Sequence, residues 1–88
     1  MKLIVAIVRD IDDRRVIDQL VSQGYRVTRL ASTGGFLRRG NVTLLVGVEG
    51  EHQVHAVFDL LRETCSPADP GSHRATVFVV NAQHFEQI

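Results

Sequence analysis

The amino-acid sequence predicts an α+β fold whose elements follow the order β-α-β-β-α-β. Two short apolar runs rich in β-branched residues, at 2–8 and 41–48, are each followed by apolar residues at helical spacing, and a third such run covers 75–80. With a more polar strand at residues 25–31, this order is that of the split βαβ of ferredoxin-like folds. Right-handed crossovers then place both helices on one face of an antiparallel sheet.

The first half of the chain supplies the first three elements. Residues 2–8 predict a strand that is buried on both faces. Asp12 or Asp13 can cap the helix that follows, and Gly24 lies where a helix usually ends. The apolar residues of that helix recur at helical spacing: Val16, Ile17, Leu20 and Val21. The scattered polarity of residues 25–31 favours a strand at the edge of the sheet.

The second half of the chain repeats the strand–helix–strand unit after a loop that contains three glycines. Three glycines predict a loop at residues 32–40, and a strand follows at 41–48. A second helix is predicted from apolar residues at i, i+3, i+4 and i+7: Val54, Val57, Phe58 and Leu61. Residues 66–72 are rich in Pro, Gly and Ser and predict a link, before the last strand and a tail at 81–88.

Both faces of the predicted sheet are apolar, although helices can cover only one of them. In the first strand one face carries Leu3, Val5 and Ile7, and the opposite face is equally apolar. A large uncovered apolar face marks a site of association, and covering it stabilises a short chain. The pattern therefore predicts an oligomer without specifying its symmetry.

Composition narrows the classes of function. The 88 residues predict a single domain, and ten basic residues balance ten acidic ones, which argues against binding to DNA or RNA. Residues 3–8 are too short for the core of a signal peptide, and no apolar stretch reaches the roughly 20 residues that span a bilayer. We therefore expect a cytoplasmic protein without a membrane partner.

The sequence contains no recognisable set of residues that would form a catalytic or metal-binding site. His52 and His55 are three residues apart on the second helix, but no further ligands complete a metal site, so we expect a solvated helix face. Cys65, the one cysteine, is expected to be a small packing residue. We therefore predict neither an enzyme nor a bound cofactor.

The residues between Arg26 and Asn41 suit a small molecule that carries phosphates and bases. Arg26 offers a planar fork of donors to phosphate oxygens, and Gly34-Gly35 permits a close backbone approach or an anion nest. Phe36 could stack on a base. From composition alone, however, an ordinary hairpin loop is the more economical interpretation, and the segment lacks the Gly-Lys-Ser/Thr of a P-loop.

The run Arg26-Val-Thr-Arg-Leu-Ala-Ser-Thr-Gly-Gly-Phe-Leu-Arg-Arg-Gly-Asn41 closely resembles the PII-like cyclic-di-AMP receptor family. The opening strand, the closing Ala75-Thr-Val-Phe-Val79 and Phe85 are similar to the same family, so the resemblance covers nearly the whole chain. Two features differ from the family pattern. Gly24 stands where asparagine is common, and residues 66–74 replace a long Pro/Gly-rich loop.

The resemblance implies a homotrimeric receptor, not an enzyme, that holds a cyclic dinucleotide between neighbouring protomers. The ligand contacts that it implies are Arg26, Thr28, Gly35, Phe36, Leu37, Asn41 and Gly47. From the three glycines we further expect that ligand binding orders residues 32–40 and that this ordering relays the signal to an unidentified target protein. The alternative is a trimeric interaction or scaffold protein that binds another nucleotide or none.

Overall fold

The computed structural model describes residues 1–30 and 40–88, and its elements follow the predicted order. The strands and helices are β1 (Lys2–Arg9), α1 (Asp13–Ser22), β2 (Val27–Leu30), β3 (Asn41–Val48), α2 (Glu51–Thr64) and β4 (Ala75–Asn81). The second strand begins two residues later than predicted, and Ala31, its predicted last residue, lies outside the described residues.

Within the described residues the strands form one antiparallel sheet in the order β2-β3-β1-β4. Val5, at the middle of β1, lies opposite Leu45 on one side and Phe78 on the other. The predicted edge position of the second strand is confirmed, and β4 forms the opposite edge.

One face of the sheet packs against both helices. The side chains of β1 alternate strictly, and Ile4, Ala6 and Val8 are buried on this face. The same hydrophobic core also contains residues of α1, β3 and α2 and the residue that follows α2: Val16, Leu20, Val42, Leu44, Val46, Val48, Val54, Val57, Leu61 and Cys65. The prediction that both helices cover one face is therefore confirmed.

The second face of the sheet is apolar, and no helix formed by the described residues lies on it. Leu3, Val5 and Ile7 are half-buried there, and their neighbours on β4, Phe78 and Val80, are 56% and 49% exposed. We call this the open face. It matches the uncovered apolar face that the sequence predicts.

The structure confirms the predicted C-terminal end of α1 but not the predicted side-chain cap at its N-terminal end. Gly24 has a φ of +90°, which glycine adopts at little cost, and its N–H donates to the carbonyl of Val21, as a helix-ending glycine does. Asp12 occupies the capping position at the other end, and its backbone carbonyl accepts from the N–H of Val16. Its carboxylate makes no capping hydrogen bond, so the predicted capping role of the side chain is wrong.

Candidate ligand-binding site

Four of the residues named as ligand contacts lie on or beside the open face. Asn41 and Gly47 alternate with the buried residues of β3, which places both on this face. Thr28 of β2 lies opposite Leu45 and so shares the face, and Arg26 stands two residues before Thr28. The other three predicted contacts, Gly35, Phe36 and Leu37, lie outside the described residues.

Arg26, Thr28 and Gly47 line one open cleft of about 560 Å³. The floor includes Leu3 of β1, and the C-terminal tail forms a wall with Phe85. We call it the tail cleft. Because glycine has no side chain, the backbone of β3 at Gly47 is accessible from the cleft, and a Cβ there would meet no heavy atom within 4 Å.

The C-terminal tail contacts Arg26, the cationic side chain of the tail cleft that the sequence predicts to bind phosphate. The guanidinium of Arg26 donates a hydrogen bond of 2.8 Å to Oε1 of Gln87, and both side chains are exposed. A guanidinium has five N–H donors, so this single contact leaves capacity for phosphate oxygens. Phe85, which is 59% exposed, presents an aromatic ring to the same cleft. The cleft therefore combines a cation, neutral polar groups and an aromatic surface.

Sequence reasoning did not assign Gln87 to the site. The tail has no periodicity that would place its side chains, and the contact joins residues 61 positions apart. A terminal segment has a defined position only where its side chains contact the rest of the protein.

Asn41 lies in a second cleft, at the opposite end of β3. This cleft of about 600 Å³ is lined on one side by Arg9, Asp10 and Asn41 and on the other by residues 71–74. These residues belong to the connection before β4, residues 66–74, which we call the link. We call this cleft the link cleft. Gly47 follows Asn41 by six positions, or about 20 Å at the rise of a β-strand. Within one chain, the structure therefore does not bring Asn41 into the cleft that holds Arg26, Thr28 and Gly47.

The remaining candidates from the sequence do not form a reactive centre in the described part of the chain. His52 and His55 are both exposed on α2, and residues 1–30 and 40–88 contain no group of three His, Cys, Asp or Glu side chains that could hold a metal ion. Cys65 is buried in the core, as expected of a packing residue. Burial, followed by the negative charge of Asp12, raises the pKa of the Cys65 thiol, which lowers its reactivity.

A ferredoxin-like domain with an uncovered apolar sheet face and polar clefts at both ends of that face has the form of a ligand-binding protein. A family model described as cyclic-di-AMP receptor matches residues 1–71. The chain therefore belongs to the cyclic-di-AMP receptor family, and the family predicted from the sequence is confirmed. The match includes α1, α2 and every predicted contact residue.

A solved structure extends the similarity beyond residue 71. The chain is similar to the crystal structure of a functionally unknown protein from Pediococcus pentosaceus ATCC 25745, with 34% sequence identity and a TM-score of 0.76. The comparison covers 99% of this chain and 96% of that one.

In the described part of the chain, neither helix has the length and apolar character needed to cross a membrane. The longer of the two, α2, has 14 residues.

Proposed function

We propose that this protein is a PII-like signalling protein whose homotrimer binds cyclic-di-AMP between protomers. One observation carries the proposal: Arg26, Thr28 and Gly47 converge on the tail cleft in a chain of the cyclic-di-AMP receptor family. As in its family, the protein acts as a receptor, and we assign it no catalytic residue.

Each side of the tail cleft suits a different part of a cyclic dinucleotide. The guanidinium of Arg26 can form charge-assisted, paired hydrogen bonds with a phosphate. The Thr28 hydroxyl is a neutral donor and acceptor, and Gly47 lets a base approach the backbone. Phe85 offers a ring on which a base can stack.

The separation of the two clefts favours a ligand that lies between two copies of the chain. Asn41 lies too far along β3 from Gly47 for one protomer to use both residues around the same base. If the open faces associate, the Asn41 end of one protomer can approach the tail cleft of its neighbour. Association would also cover the exposed Phe78 and Val80.

The relay to a target protein through ordering of residues 32–40 is the part of the proposal that rests on the sequence. The three glycines make this segment costly to order, and a ligand that contacts Gly35, Phe36 and Leu37 would offset that cost. Ordering would fix Arg38 and Arg39 and change the charge presented to the target, which remains to be identified.

Calorimetric titration with cyclic-di-AMP, cyclic-di-GMP, ATP and AMP tests the ligand, and light scattering coupled to gel filtration tests the assembly. We expect a trimer that binds cyclic-di-AMP most tightly, with one ligand per chain. A trimer that binds none of the four compounds would favour the alternative, a scaffold or interaction protein. A trimer that prefers ATP or AMP would keep the fold and the cleft but replace the ligand.

A further inference from the structure

Asp12 has a fully buried carboxylate at the junction of β1 and α1. Its side chain is 0% exposed, and its oxygens accept hydrogen bonds from the link that follows α2. Ser66 donates to Oδ1 twice, through its backbone N–H at 3.1 Å and through its hydroxyl at 2.7 Å. Arg15 donates to the same oxygen at 2.5 Å, and Arg9 donates to Oδ2 at 3.2 Å. The carboxylate thus joins residues that are 54 positions apart.

These partners keep the buried carboxylate charged. Burial by itself raises the pKa of Asp12, but the hydrogen bonds from Ser66 and Arg15 and the charge of Arg9 outweigh it, so the pKa lies below its ordinary value. A buried charge requires its donors, because removing them leaves an uncompensated carboxylate away from water. Ser66 is therefore held firmly at this position.

Arg9 extends the attachment along the link. Its guanidinium also donates to the backbone carbonyl of Pro67 at 3.3 Å and to that of Ser66. At the far end of the link, Arg74 donates to the backbone carbonyl of Arg62 at 2.9 Å. The link is thus held at its start by Asp12 and Arg9 and at its end by the contact of Arg74 with a backbone carbonyl.

Between these attachments the link has little apolar support. Residues 69–74 are all exposed, and Gly71 turns the chain with a φ of +84°. Its course toward β4 therefore depends on where its ends are fixed. Residues 71–74 form the wall of the link cleft that faces Asn41.

We propose that Asp12 is a positioning residue for ligand binding, which acts by fixing the link and thereby the wall of the link cleft opposite Asn41. This inference rests on the proposed function, because it treats the link cleft as one half of the dinucleotide site. Asp12 itself is fully buried, and its effect passes through Ser66 and Arg9.

The test compares three variants of the full chain in the trimer. Asp12→Asn keeps the size of the side chain and removes its charge. Val16→Ala removes apolar volume at a fully buried position of α1 and lowers stability, but an apolar side chain has no hydrogen bond to the link. Asp13→Asn removes the neighbouring carboxylate, which pairs with Arg29 instead. Hydrogen exchange at residues 66–74 is measured without ligand, and the affinity for cyclic-di-AMP is measured by calorimetry.

We expect Asp12→Asn to lose protection at residues 66–74 and to bind cyclic-di-AMP at least about tenfold more weakly, the scale of one lost charged contact. Val16→Ala and Asp13→Asn should keep both properties close to those of the wild type. If Asp12→Asn does not fold, Ser66→Ala provides the same test with a smaller change, because the backbone N–H of residue 66 still reaches Asp12.

The outcomes separate this inference from the proposed function. If Asp12→Asn weakens binding no more than Val16→Ala does at a matched loss of stability, Asp12 is only structural and the inference fails. Lost link protection with unchanged affinity would place the link outside the ligand site and would also overturn it. If the wild type binds no cyclic dinucleotide, the proposed function fails, and with it the role of Asp12 in binding.

Discussion

The guanidinium of Arg26 and the side-chain amide of Gln87 are joined by a hydrogen bond of 2.8 Å across the mouth of the tail cleft. The bond ties the start of β2 to the C-terminal tail and holds the guanidinium beside Thr28 and Gly47. Because both side chains are exposed, the bond contributes little to the stability of the fold. The geometry therefore allows the role of Arg26 in binding to be separated from its role in folding.

We predict that Arg26→Ala strongly weakens cyclic-di-AMP binding and leaves the trimer intact. A charge-assisted hydrogen bond is worth about 1.5–3 kcal/mol, or roughly ten- to more than a hundredfold in affinity. Arg26→Lys should recover little, because a point charge does not replace the planar fork. Calorimetry measures the affinity, and Arg29→Ala in the adjoining strand β2 is the control, since Arg29 pairs with Asp13. Unchanged binding by Arg26→Ala would remove this residue from the site.

Gly47 offers a test of close approach at the same cleft. It lies in the interior of β3 and is exposed, and an added Cβ would have open space around it. We expect Gly47→Ala and Gly47→Val to be at least as stable as the wild type, since both residues suit a strand better than glycine. Affinity for cyclic-di-AMP should fall in the order glycine, alanine, valine as the side chain fills the cleft. Equal affinity in all three proteins would show that the ligand does not contact β3 here.

The elements and the faces of the sheet could be predicted from the sequence because they follow from local periodicity. The alternation in β1 and the spacing of Val54, Val57 and Leu61 are set by neighbours within a few residues. Glycine at the end of α1 is equally local, because only the conformation of Gly24 itself is involved.

The site was less predictable because its contacts are distant in sequence. The sequence around Asp12 is typical of a helix-capping residue. Nothing in the neighbouring sequence indicates that its carboxylate instead accepts hydrogen bonds from Ser66. The same holds for Gln87 beside Arg26. The resemblance grouped Asn41 with Gly47, but the two residues lie near opposite ends of the same strand, β3.

The open face provides a test of assembly with a closely matched control. Phe78 is 56% exposed on this face, in the edge strand β4, and Val21 is 57% exposed on α1. If the open face is the trimer interface, Phe78→Glu places a charge in it and should yield monomers by light scattering, whereas Val21→Glu should remain a trimer. A trimeric Phe78→Glu protein would place the interface elsewhere. A wild type that is monomeric at micromolar concentration would contradict the trimer itself.

Residues 32–40 provide the test of the proposed relay. If ligand binding orders this segment, hydrogen exchange at these residues should slow when cyclic-di-AMP is added, relative to the apo trimer. Gly35→Val should abolish binding if the backbone there needs a positive φ or close approach to the ligand. Equal protection with and without ligand would exclude this segment as the switch. Normal binding by Gly35→Val would contradict an anion nest at Gly34-Gly35.

The buried carboxylate of Asp12 predicts how stability depends on pH. Its pKa in the folded protein lies below the ordinary value of 3.8, so the folded state binds a proton there less readily than the unfolded state does. The stability that this difference contributes is fully present above about pH 4 and is lost as the pH falls through the lower folded-state pKa. We therefore expect the melting temperature of the wild type to fall more steeply below pH 4 than that of Asp12→Asn.

Thermal unfolding between pH 7 and pH 2.5 at a fixed protomer concentration checks this, because the apparent stability of an oligomer depends on concentration. The difference between wild type and Asp12→Asn isolates this carboxylate from the others, which titrate in both proteins. Asp13→Asn is the control, because Asp13 pairs with the half-exposed Arg29, where solvent screens the interaction. Parallel melting curves for wild type and Asp12→Asn would mean that the contacts with Ser66, Arg9 and Arg15 do not favour the charged carboxylate in solution. The link would then have to be held by the backbone contacts of Arg9 and Arg74 alone.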